Sequence, residues 1–291
     1  MSRLLAALFL VLACAGAQAQ PYPSKPIRLV VPFPPGGSID IMARRLAIPL
    51  TAKLGQSVVV ENRAGAGSIV GGTFVAQAPN DGYTLLFASS STLTLAPAIT
   101  TKLPYDPVKD FTPVSLVGDL PFLLLVHPSV PANSVQELIA LAKSRGAGVL
   151  NYSSFGNATT NHFFGEMLNS MGGVKITHVP YKGGAPALTA LIAGEVQIMF
   201  DSTPASMPRV QAGAVKALGI TSAKRVSSYP QIPTIAEQGL PELVGGAWFG
   251  VLGPGGMSEL IGSTPREFAD FVRRETARWT KIARDNNIRA E

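Results

Sequence analysis

Short apolar runs alternate with helical patterns along this chain. Seven runs predict strands, at residues 27–33, 58–61, 83–88, 150–153, 176–179, 196–200 and 215–221. Between them, apolar side chains recur at three- and four-residue spacing, as at Ile39, Met42, Leu46 and Leu50, which is typical of a helix with one buried face. This alternation predicts an α/β fold with largely parallel sheets.

Two predicted helices have well-marked N-termini. Ser134 is followed three residues later by Glu137, and Thr264 by Glu267, which is the spacing of a capping box. Pro265 occupies the first helical position after Thr264, where no N–H group is needed for the helix. We therefore expect helices to begin after Ser134 and after Thr264.

Glycine-rich turns follow four of the predicted strands and lead into helices. They read PGGS at 35–38, AGAGS at 64–68, SFGN at 154–157 and KGG at 182–184. Such turns let the backbone approach a ligand closely, and the free N–H groups of the following helices attract anions. Tight strand-to-helix geometry also explains each turn taken alone. Four together, at the carboxyl ends of strands, favour a site for a small anion.

Neutral hydrogen-bonding side chains follow the same strands. Hydroxyls and amides occupy positions 89–92, 153–154, 157, 159–160 and 202–203, with Asp201 beside the last pair. Neutral donors and helix dipoles can hold a carboxylate without a buried arginine, which keeps release easy. Asp40 has two open roles, because it can accept a proton from a ligand or complement the dipole of the helix that it begins.

The composition is that of a globular protein without a nucleic-acid site. Of the 291 residues, 46% are hydrophobic and 14% are charged, which is too apolar for a disordered chain. The formal net charge of +6 is concentrated in the last predicted helix, and no nucleic-acid-binding motif accompanies it. We therefore expect no nucleic-acid partner.

Catalytic and metal-binding patterns are weak. The three histidines are scattered and form no metal-binding motif, so we expect no metal and no cofactor. The segment GAGSIVG at 65–71 departs from the dinucleotide fingerprint, because its last glycine comes one residue late. Ser154, His162 and Asp201 suggest a triad, but no GxSxG turn surrounds any serine.

The N-terminal segment predicts export. Arg3 precedes an apolar stretch at residues 4–13, and Ala17-Gln18-Ala19 supplies small residues for cleavage. We expect residues 1–19 to be a signal peptide and the mature protein to be periplasmic. Lipid attachment at Cys14, the single cysteine of the chain, is the alternative.

Several motifs together resemble one family. They read VPFPPGGSID at 31–40, VENRAGAG at 60–67, YDPVKDF at 105–111, VPYKG at 179–183, MFD at 199–201 and WFG at 248–250. In this order and spacing the chain resembles the Bug, or TctC-type, substrate-binding proteins of tripartite tricarboxylate transporters. The resemblance implies a type II periplasmic-binding-protein fold, in which a hinge joins two domains around a ligand cleft.

The resemblance also implies where the domains and the binding residues lie. Domain 1 would comprise residues 20–118 and 223–291, and domain 2 residues 119–222. Backbone N–H groups and hydroxyls of turns from both domains would hold a carboxylate in the cleft. The implied ligand-binding residues are Phe33, Gly36, Gly37, Ser38, Asp40, Ala66, Gly67, Ser68, Ser89, Ser90, Ser91, Ser153, Ser154, Gly156, Asn157, Thr159 and Asp201.

The implied function is that of a periplasmic solute-binding receptor, which captures a small carboxylate for the subunits of a membrane transporter. A ligand sensor for a membrane kinase and an exported enzyme are the alternatives. One segment departs from the family pattern. Similar proteins continue through a pair of helices after Leu252, whereas only residues 253–261 precede the next matching turn here. We therefore expect an internally shortened domain 1.

Overall fold

The computed structural model describes residues 22–256 and 265–289 of the chain. The predicted signal peptide, Cys14, the cap residue Thr264 and residues 257–263 of the shortened region lie outside the described residues. The capping interaction predicted at Ser134 is confirmed, because Ser134 Oγ accepts a hydrogen bond of 3.1 Å from the backbone N–H of Glu137.

Nine strands are assigned in the described part of the chain. They are β1 (Ile27–Val31), β2 (Val58–Asn62), β3 (Thr84–Ser89), β4 (Phe111–Val126), β5 (Asn151–Ser154), β6 (Thr177–Pro180), β7 (Ile198–Ser202), β8 (Lys216–Ile220) and β9 (Gly246–Pro254). All seven predicted strands are present, each displaced by no more than two residues at either end. The two long strands β4 and β9 are additional to the prediction.

Helices connect most of these strands. They are α1 (Ser38–Leu54), α2 (Ile69–Ala76), α3 (Ala96–Ile99), α4 (Val135–Arg145), α5 (Thr160–Gly172), α6 (Gly184–Ile192), α7 (Thr203–Gln211) and α8 (Pro265–Asp285). A 3-10 turn at Ala66–Ser68 precedes α2, and a π-helical turn at Ser91–Leu95 runs into α3. A further 3-10 turn lies at Ala236–Gln238.

The strands form one continuous mixed sheet. Its order is β2-β1-β3-β9-β4-β7-β5-β6, and β8 also pairs with β4. Strand β1 is parallel to β2 and β3, and β5 is parallel to β6 and β7. The pairs that β4 and β9 form with each other and with β3, β7 and β8 are antiparallel. The prediction of largely parallel sheets is therefore right for the two outer groups of strands and wrong at the centre.

Strand β4 belongs to both halves of the molecule. Its residues 111–121 pair with β9, and its residues 122–126 pair with β7 and β8. Thr221 lies beside this crossing and makes two hydrogen bonds to Phe122, both of 2.8 Å. It makes two more to Gly245, of 2.9 and 2.6 Å, just before β9 returns to the first half. Thr221 thus joins the outgoing and the returning strands.

The segment between Thr221 and β9 packs on the second half. Ile232 belongs to the apolar cluster of Leu123 and Leu125, and Ile235 N–H donates to Ile220 O at 2.9 Å. We therefore propose that domain 2 runs from about residue 122 to about residue 244. Domain 1 would then resume with β9, later than the residue 223 that the family resemblance implies.

Both faces of strand β1 are covered, which explains the three consecutive apolar residues Leu29, Val30 and Val31. In β1, Leu29 and Val31 belong to the largest apolar cluster, which extends across both halves. Val30, whose side chain points to the opposite face, packs in a second cluster with Trp248 and Phe268.

Helix α8 contacts both halves. Near its start, Phe268 lies edge-on to Trp248 of β9, with 5.5 Å between the ring centroids. Eleven residues later Trp279, which is fully buried, lies edge-on to Phe163 and Phe164 of α5, at 5.5 and 6.0 Å. The last helix therefore links domain 1 to domain 2.

Candidate functional site

A cleft lies between the two halves, where the carboxyl ends of the parallel strands meet. Contacts across it join the turn after β1 to the end of β7, because Ser202 Oγ donates to Ser38 Oγ at 2.6 Å. The hydroxyls of Ser90 and Thr160 are 2.9 Å apart across the same boundary. The cleft is therefore closed in this conformation.

The turn between β1 and α1 is fixed from behind by Asp40. Gly36, with φ of +86°, donates its backbone N–H to the Asp40 carboxylate at 3.0 Å. Arg44 and Asn62 also donate to this carboxylate. Burial opposes ionisation of Asp40, but these hydrogen bonds outweigh it and lower its pKa below the ordinary value. Because its acceptors are occupied and it lines no wall of the cleft, we propose that Asp40 positions the turn rather than contacting the ligand.

An inner cavity of about 30 Å³ lies deep in the cleft. Its volume leaves room for about two water molecules in this closed conformation. Among the residues that the structure describes, the walls combine hydroxyls, backbone and aromatic rings, and none of the lining side chains is ionisable. They are formed by Phe33, Pro34, Gly37, Ser38, Ile39, Ser89, Ser91, Phe122, Phe155, Thr160, Gly184, Ser202, Ala247 and Phe249.

A wider outer mouth of about 650 Å³ adjoins the inner cavity, and Phe33, Pro34 and Phe155 line both. Its walls are the turn before α2, the turn after β5 and the start of the turn after β6. Of the implied binding residues they include Phe33, Ala66, Gly67, Ser68, Gly156 and Asn157. Lys182 is the one charged side chain among the residues lining it, and it is exposed.

Ten of the implied binding residues thus line the two cavities, and seven do not. Those seven are Gly36, Asp40, Ser90, Ser153, Ser154, Thr159 and Asp201. Their hydrogen bonds support the walls, as where Thr159 Oγ1 donates to Gly156 O at 2.6 Å. Of the wall residues outside the implied set, Thr160, Gly184 and Ser202 belong to the polar and glycine-rich stretches seen in the sequence. Phe122, Ala247 and Phe249 belong to β4 and β9 and had no such signal.

Five helices begin at the cleft without a side-chain cap. These helices are α1, α2, α5, α6 and α7. In each, the N-cap residue makes no side-chain hydrogen bond to the N–H groups of the first turn. The N-cap residues are Gly37, Ser68, Thr159, Gly183 and Ser202, respectively. By contrast, α4 begins away from both cavities and is capped by Ser134. Uncapped N-termini leave backbone N–H donors and partial positive charge at the cleft, which suits an anion.

Among the described residues, three buried polar atoms of the cavity linings have no hydrogen-bond partner within the protein. They are Ser89 Oγ in the inner cavity, and Ser68 Oγ and Asn157 Oδ1 at the outer mouth. Buried polar groups in folded proteins are nearly always paired, so these three indicate positions where a bound molecule forms hydrogen bonds.

Asp201 is a buried carboxyl directly behind Ser202. It accepts hydrogen bonds from Ser206 Oγ at 2.6 Å and from the backbone N–H of Ser202 at 2.8 Å. Burial raises the pKa of Asp201 to about 7, and these two hydrogen bonds offset only part of that effect. The residue therefore supports the start of α7 and the Ser202–Ser38 contact.

The triad considered from the sequence does not form. Ser154 Oγ lies 2.6 Å from Nε2 of His178, not beside His162, and the Asp201 carboxylate is engaged by Ser202 and Ser206. His162 and His178 stack at 4.3 Å. Burial lowers the pKa of His162 to about 4, and burial together with His162 lowers that of His178 to about 3. Both rings are therefore neutral at neutral pH.

The described residues also bear on metals and membranes. Residues 22–256 and 265–289 contain no group of three histidine, cysteine or acidic side chains placed to hold a metal ion. None of the helices within those ranges is long and apolar enough to cross a membrane.

Sequence comparison places this chain among transporter receptors. Residues 42–263 match the family described as the tripartite tricarboxylate transporter family receptor, TctC. The protein BugT of Bordetella pertussis strain Tohama I is 36% identical over 323 residues, with 99% of both chains covered. Since that alignment is longer than the 291 residues of this chain, BugT carries segments that this chain lacks.

Solved structures of similar proteins have the same fold as this chain. The Rpa4515 protein of R. palustris with adipate is 35% identical, superposes with a TM-score of 0.88 and covers 92% of this chain and 99% of its own. MatC from Rhodopseudomonas palustris with bound malate is 32% identical, with a TM-score of 0.84 and coverage of 90% and 99%. The expected two-domain periplasmic-binding-protein fold is confirmed, and the chain belongs to the TctC family of tripartite tricarboxylate transporter receptors.

Proposed function

We propose that this protein captures a small carboxylate in the periplasm and presents it to the membrane subunits of a tripartite transporter. The observation that carries the proposal is the convergence of five uncapped helix N-termini on the cleft, whose inner cavity has no ionisable side chain in its walls. Backbone donors and helix dipoles suit a single carboxylate group. The adipate and malate complexes of two similar proteins support the same class of ligand.

Ligand capture follows from the two-sided construction of the cleft. Helix α1 begins in the first half, and α5, α6 and α7 begin in the second, so one carboxylate can contact both halves. A ligand that bridges two domains stabilises the closed state of the hinge between them. No covalent bond is made or broken in this cycle, and the ligand leaves unchanged when the halves separate.

The proposed ligand contacts are Gly37, Ser38, Ser89 and Ser91 in the inner cavity, with Phe33 in contact with the ligand body. Ala66, Gly67, Ser68, Gly156 and Asn157 would contact the part of the ligand that reaches the outer mouth. The remaining implied residues act as positioning residues. Export is a separate part of the proposal, and an intact mass that begins at Gln20 for periplasmic protein would support it.

Thermal unfolding with a panel of carboxylates tests ligand capture. A carboxylate at ~100 times its dissociation constant should stabilise the folded state by about 2.7 kcal/mol, and chloride should not substitute for it. Gly37→Val should abolish the shift. Gly37 has φ of −81° and ψ of 168°, an extended backbone that valine also adopts. A Cβ there would lie 3.9 Å from the backbone nitrogen of Gly184, which also lines the inner cavity, so the larger valine side chain should fill this space.

Gly118→Val is the matched control, because Gly118 lies on β4 and a Cβ there meets no atom within 4 Å. This variant should keep the ligand-induced shift. The proposal fails if no carboxylate stabilises the wild-type protein, or if Gly37→Val responds to the ligand as Gly118→Val does.

A further inference from the structure

A groove outside the ligand cleft is also built from both halves of the molecule. This closure groove has a volume of about 420 Å³ and is lined by the turn before α1 and by residues of α1, α6 and α7. Gly36 and Ile41 come from the first half, and Ala185, Leu188 and Pro208 come from the second. A Cβ at Gly36 would lie 3.7 Å from the Cβ of Ala185, so the halves meet at this groove. Separation of the halves would therefore pull its walls apart.

The closure groove lies directly behind the walls of the ligand cleft. Gly184 lines both the inner cavity and the groove. Gly36 lines the groove and precedes Gly37, which lines the inner cavity. Because a bound ligand stabilises the closed state, it also stabilises the shape of the groove. The groove thus distinguishes the loaded receptor from the empty one on the outside of the cleft.

Apolar surface continues from the groove along α1. Ile41 lines the groove, and Ile48 lies seven residues later on the same helix face and is 73% exposed. Exposed apolar surface with a polar rim is typical of protein-binding sites. A concave groove accepts a protruding side chain, whereas a flat lipid surface cannot enter it. These features favour a protein partner.

Two exposed arginines accompany this apolar surface. Arg209, in the last turn of α7, lines the groove, and Arg45 lies on α1 between Ile41 and Ile48. Among the residues that the structure describes, neither arginine side chain has an ion-pair or hydrogen-bond partner. A single exposed arginine is usually only solvated. Two unpaired arginines beside an apolar groove favour a partner whose carboxylates lie close to an apolar side chain.

We propose that the closure groove is the docking site for a membrane subunit of the transporter, through a segment that carries an apolar side chain flanked by acidic ones. The proposal rests on the proposed function and names the surface through which the closed receptor delivers its ligand. Such a subunit binds the loaded receptor in preference to the empty one, because only closure places the walls side by side. A second copy of this chain fits less well, since both copies carry a formal net charge of +6 and repel each other.

Binding of the receptor to liposomes that contain the membrane subunits tests the proposal. The carboxylate that stabilises the receptor most in thermal unfolding should strengthen this binding at least about tenfold. Arg45→Glu/Arg209→Glu should weaken binding of the loaded receptor at least about tenfold, because charge reversal replaces attraction by repulsion. Arg45→Lys/Arg209→Lys should retain most of the affinity, and added salt should weaken wild-type binding.

Arg274→Glu/Arg284→Glu is the matched control. Both of these arginines are exposed on α8, and neither lines the groove or the cleft. This variant changes the net charge by the same amount and should bind the subunits as the wild type does. All of the arginine variants should keep the carboxylate-induced stabilisation, because none of the substituted residues lines the cleft.

The outcomes separate this proposal from ligand capture. Equal binding by the wild type and Arg45→Glu/Arg209→Glu, or an equal loss in the control variant, would overturn the proposal and leave ligand capture intact. Binding that is unchanged by the carboxylate, or equal on liposomes without the subunits, would also overturn it. A wild-type dimer that Arg45→Glu/Arg209→Glu converts to a monomer in sedimentation would show that the groove binds a second copy instead. Failure of the stabilised wild type to bind the subunits at all would contradict both docking and delivery.

Discussion

Single residues control how closely the two halves approach each other, and Gly67 is the clearest case. It has φ of +61°, and a Cβ at this position would lie 2.2 Å from the carbonyl oxygen of Asn157 across the cleft. Gly55, at the end of α1, has a similar φ of +65°, but a Cβ there meets no atom within 4 Å. The two glycines share a backbone conformation and differ in whether a side chain obstructs closure.

Alanine variants at Gly67 and Gly55 distinguish the effect of backbone strain from the effect of a side chain that keeps the two halves from closing. Gly67→Ala and Gly55→Ala should each lower the free energy of unfolding by about 1 kcal/mol, because a left-handed backbone disfavours a Cβ atom. Only Gly67→Ala should also weaken carboxylate binding, by at least about tenfold, because the halves cannot close fully. Denaturant unfolding and calorimetric titration measure the two effects. Equal ligand affinity in both variants would mean that this closed conformation is not the bound one.

Asp201 makes stability depend on pH in a specific direction. Its pKa is raised to about 7 by burial, so the unfolded chain loses this proton at lower pH than the folded protein does. The contribution of Asp201 to the free energy of unfolding therefore falls as pH rises from about 4 to about 7. Asp201→Asn removes the titration, and its amide can still accept from Ser202 N–H and donate to Ser206 Oγ.

We expect Asp201→Asn to gain stability over the wild type by roughly 2–4 kcal/mol more at pH 8 than at pH 4.5. Denaturant unfolding at the two pH values measures this. The buried histidines titrate alike in both proteins, so their contribution cancels in the difference. A difference between the two proteins that does not change with pH would show that Asp201 ionises normally in the folded protein.

Among the elements, the strands differ in how far the sequence reveals them. Strands β1 and β7 each contain three consecutive apolar residues, at 29–31 and 198–200, and both were predicted within two residues. Strand β4 was missed because Pro113, Gly118 and Pro121 interrupt it, and its ladder to β9 accommodates them through two shifts of register. Strand β9 contains three glycines and ends at Pro254. Tertiary pairing, not local propensity, therefore determines the two central strands.

Residues of the candidate site could be predicted from the sequence only where the strand or turn that carries them could be predicted. The turn at Gly37 and Ser38 was visible because glycine and hydroxyl residues follow a recognisable strand. Phe122 and Phe249 could not be identified, since they belong to the two missed strands and aromatic residues in a sequence are usually core. The sequence left Asp40 open between contacting a ligand and complementing the helix dipole, and only its hydrogen bonds reveal that its acceptors are used internally.

Helix α8 is the element that the shortening of the chain makes most important. It buries Phe268 and Val272 against domain 1 and Trp279 and Ala283 against domain 2. Trp279→Ala should therefore lower the free energy of unfolding by about 3–5 kcal/mol. Arg274→Ala is the control, because Arg274 is exposed on the same helix and should change stability by less than about 0.5 kcal/mol. Similar losses in the two variants, measured by denaturant unfolding, would show that the helix does not join the domains.

The whole molecule consists of two halves that are joined by β4, by the segment before β9 and by α8. Thr221 bonds both crossing strands, and the uncapped helix N-termini come from both halves. The partial charge that favours the anionic ligand is therefore supplied by the backbone. The apolar walls are supplied by Phe122 and Phe249 on the strands that cross between the halves, and by Phe33 and Phe155 on turns. Closure brings the two contributions together.

A crystal structure of the protein with the carboxylate that stabilises it most in thermal unfolding tests this central claim most directly. We predict that a carboxylate group of the ligand lies in the inner cavity, within hydrogen-bonding distance of backbone N–H groups at the start of α1 and of at least one helix of the second half. A carboxylate bound outside the cleft, or one held mainly by an arginine or lysine side chain, would contradict it.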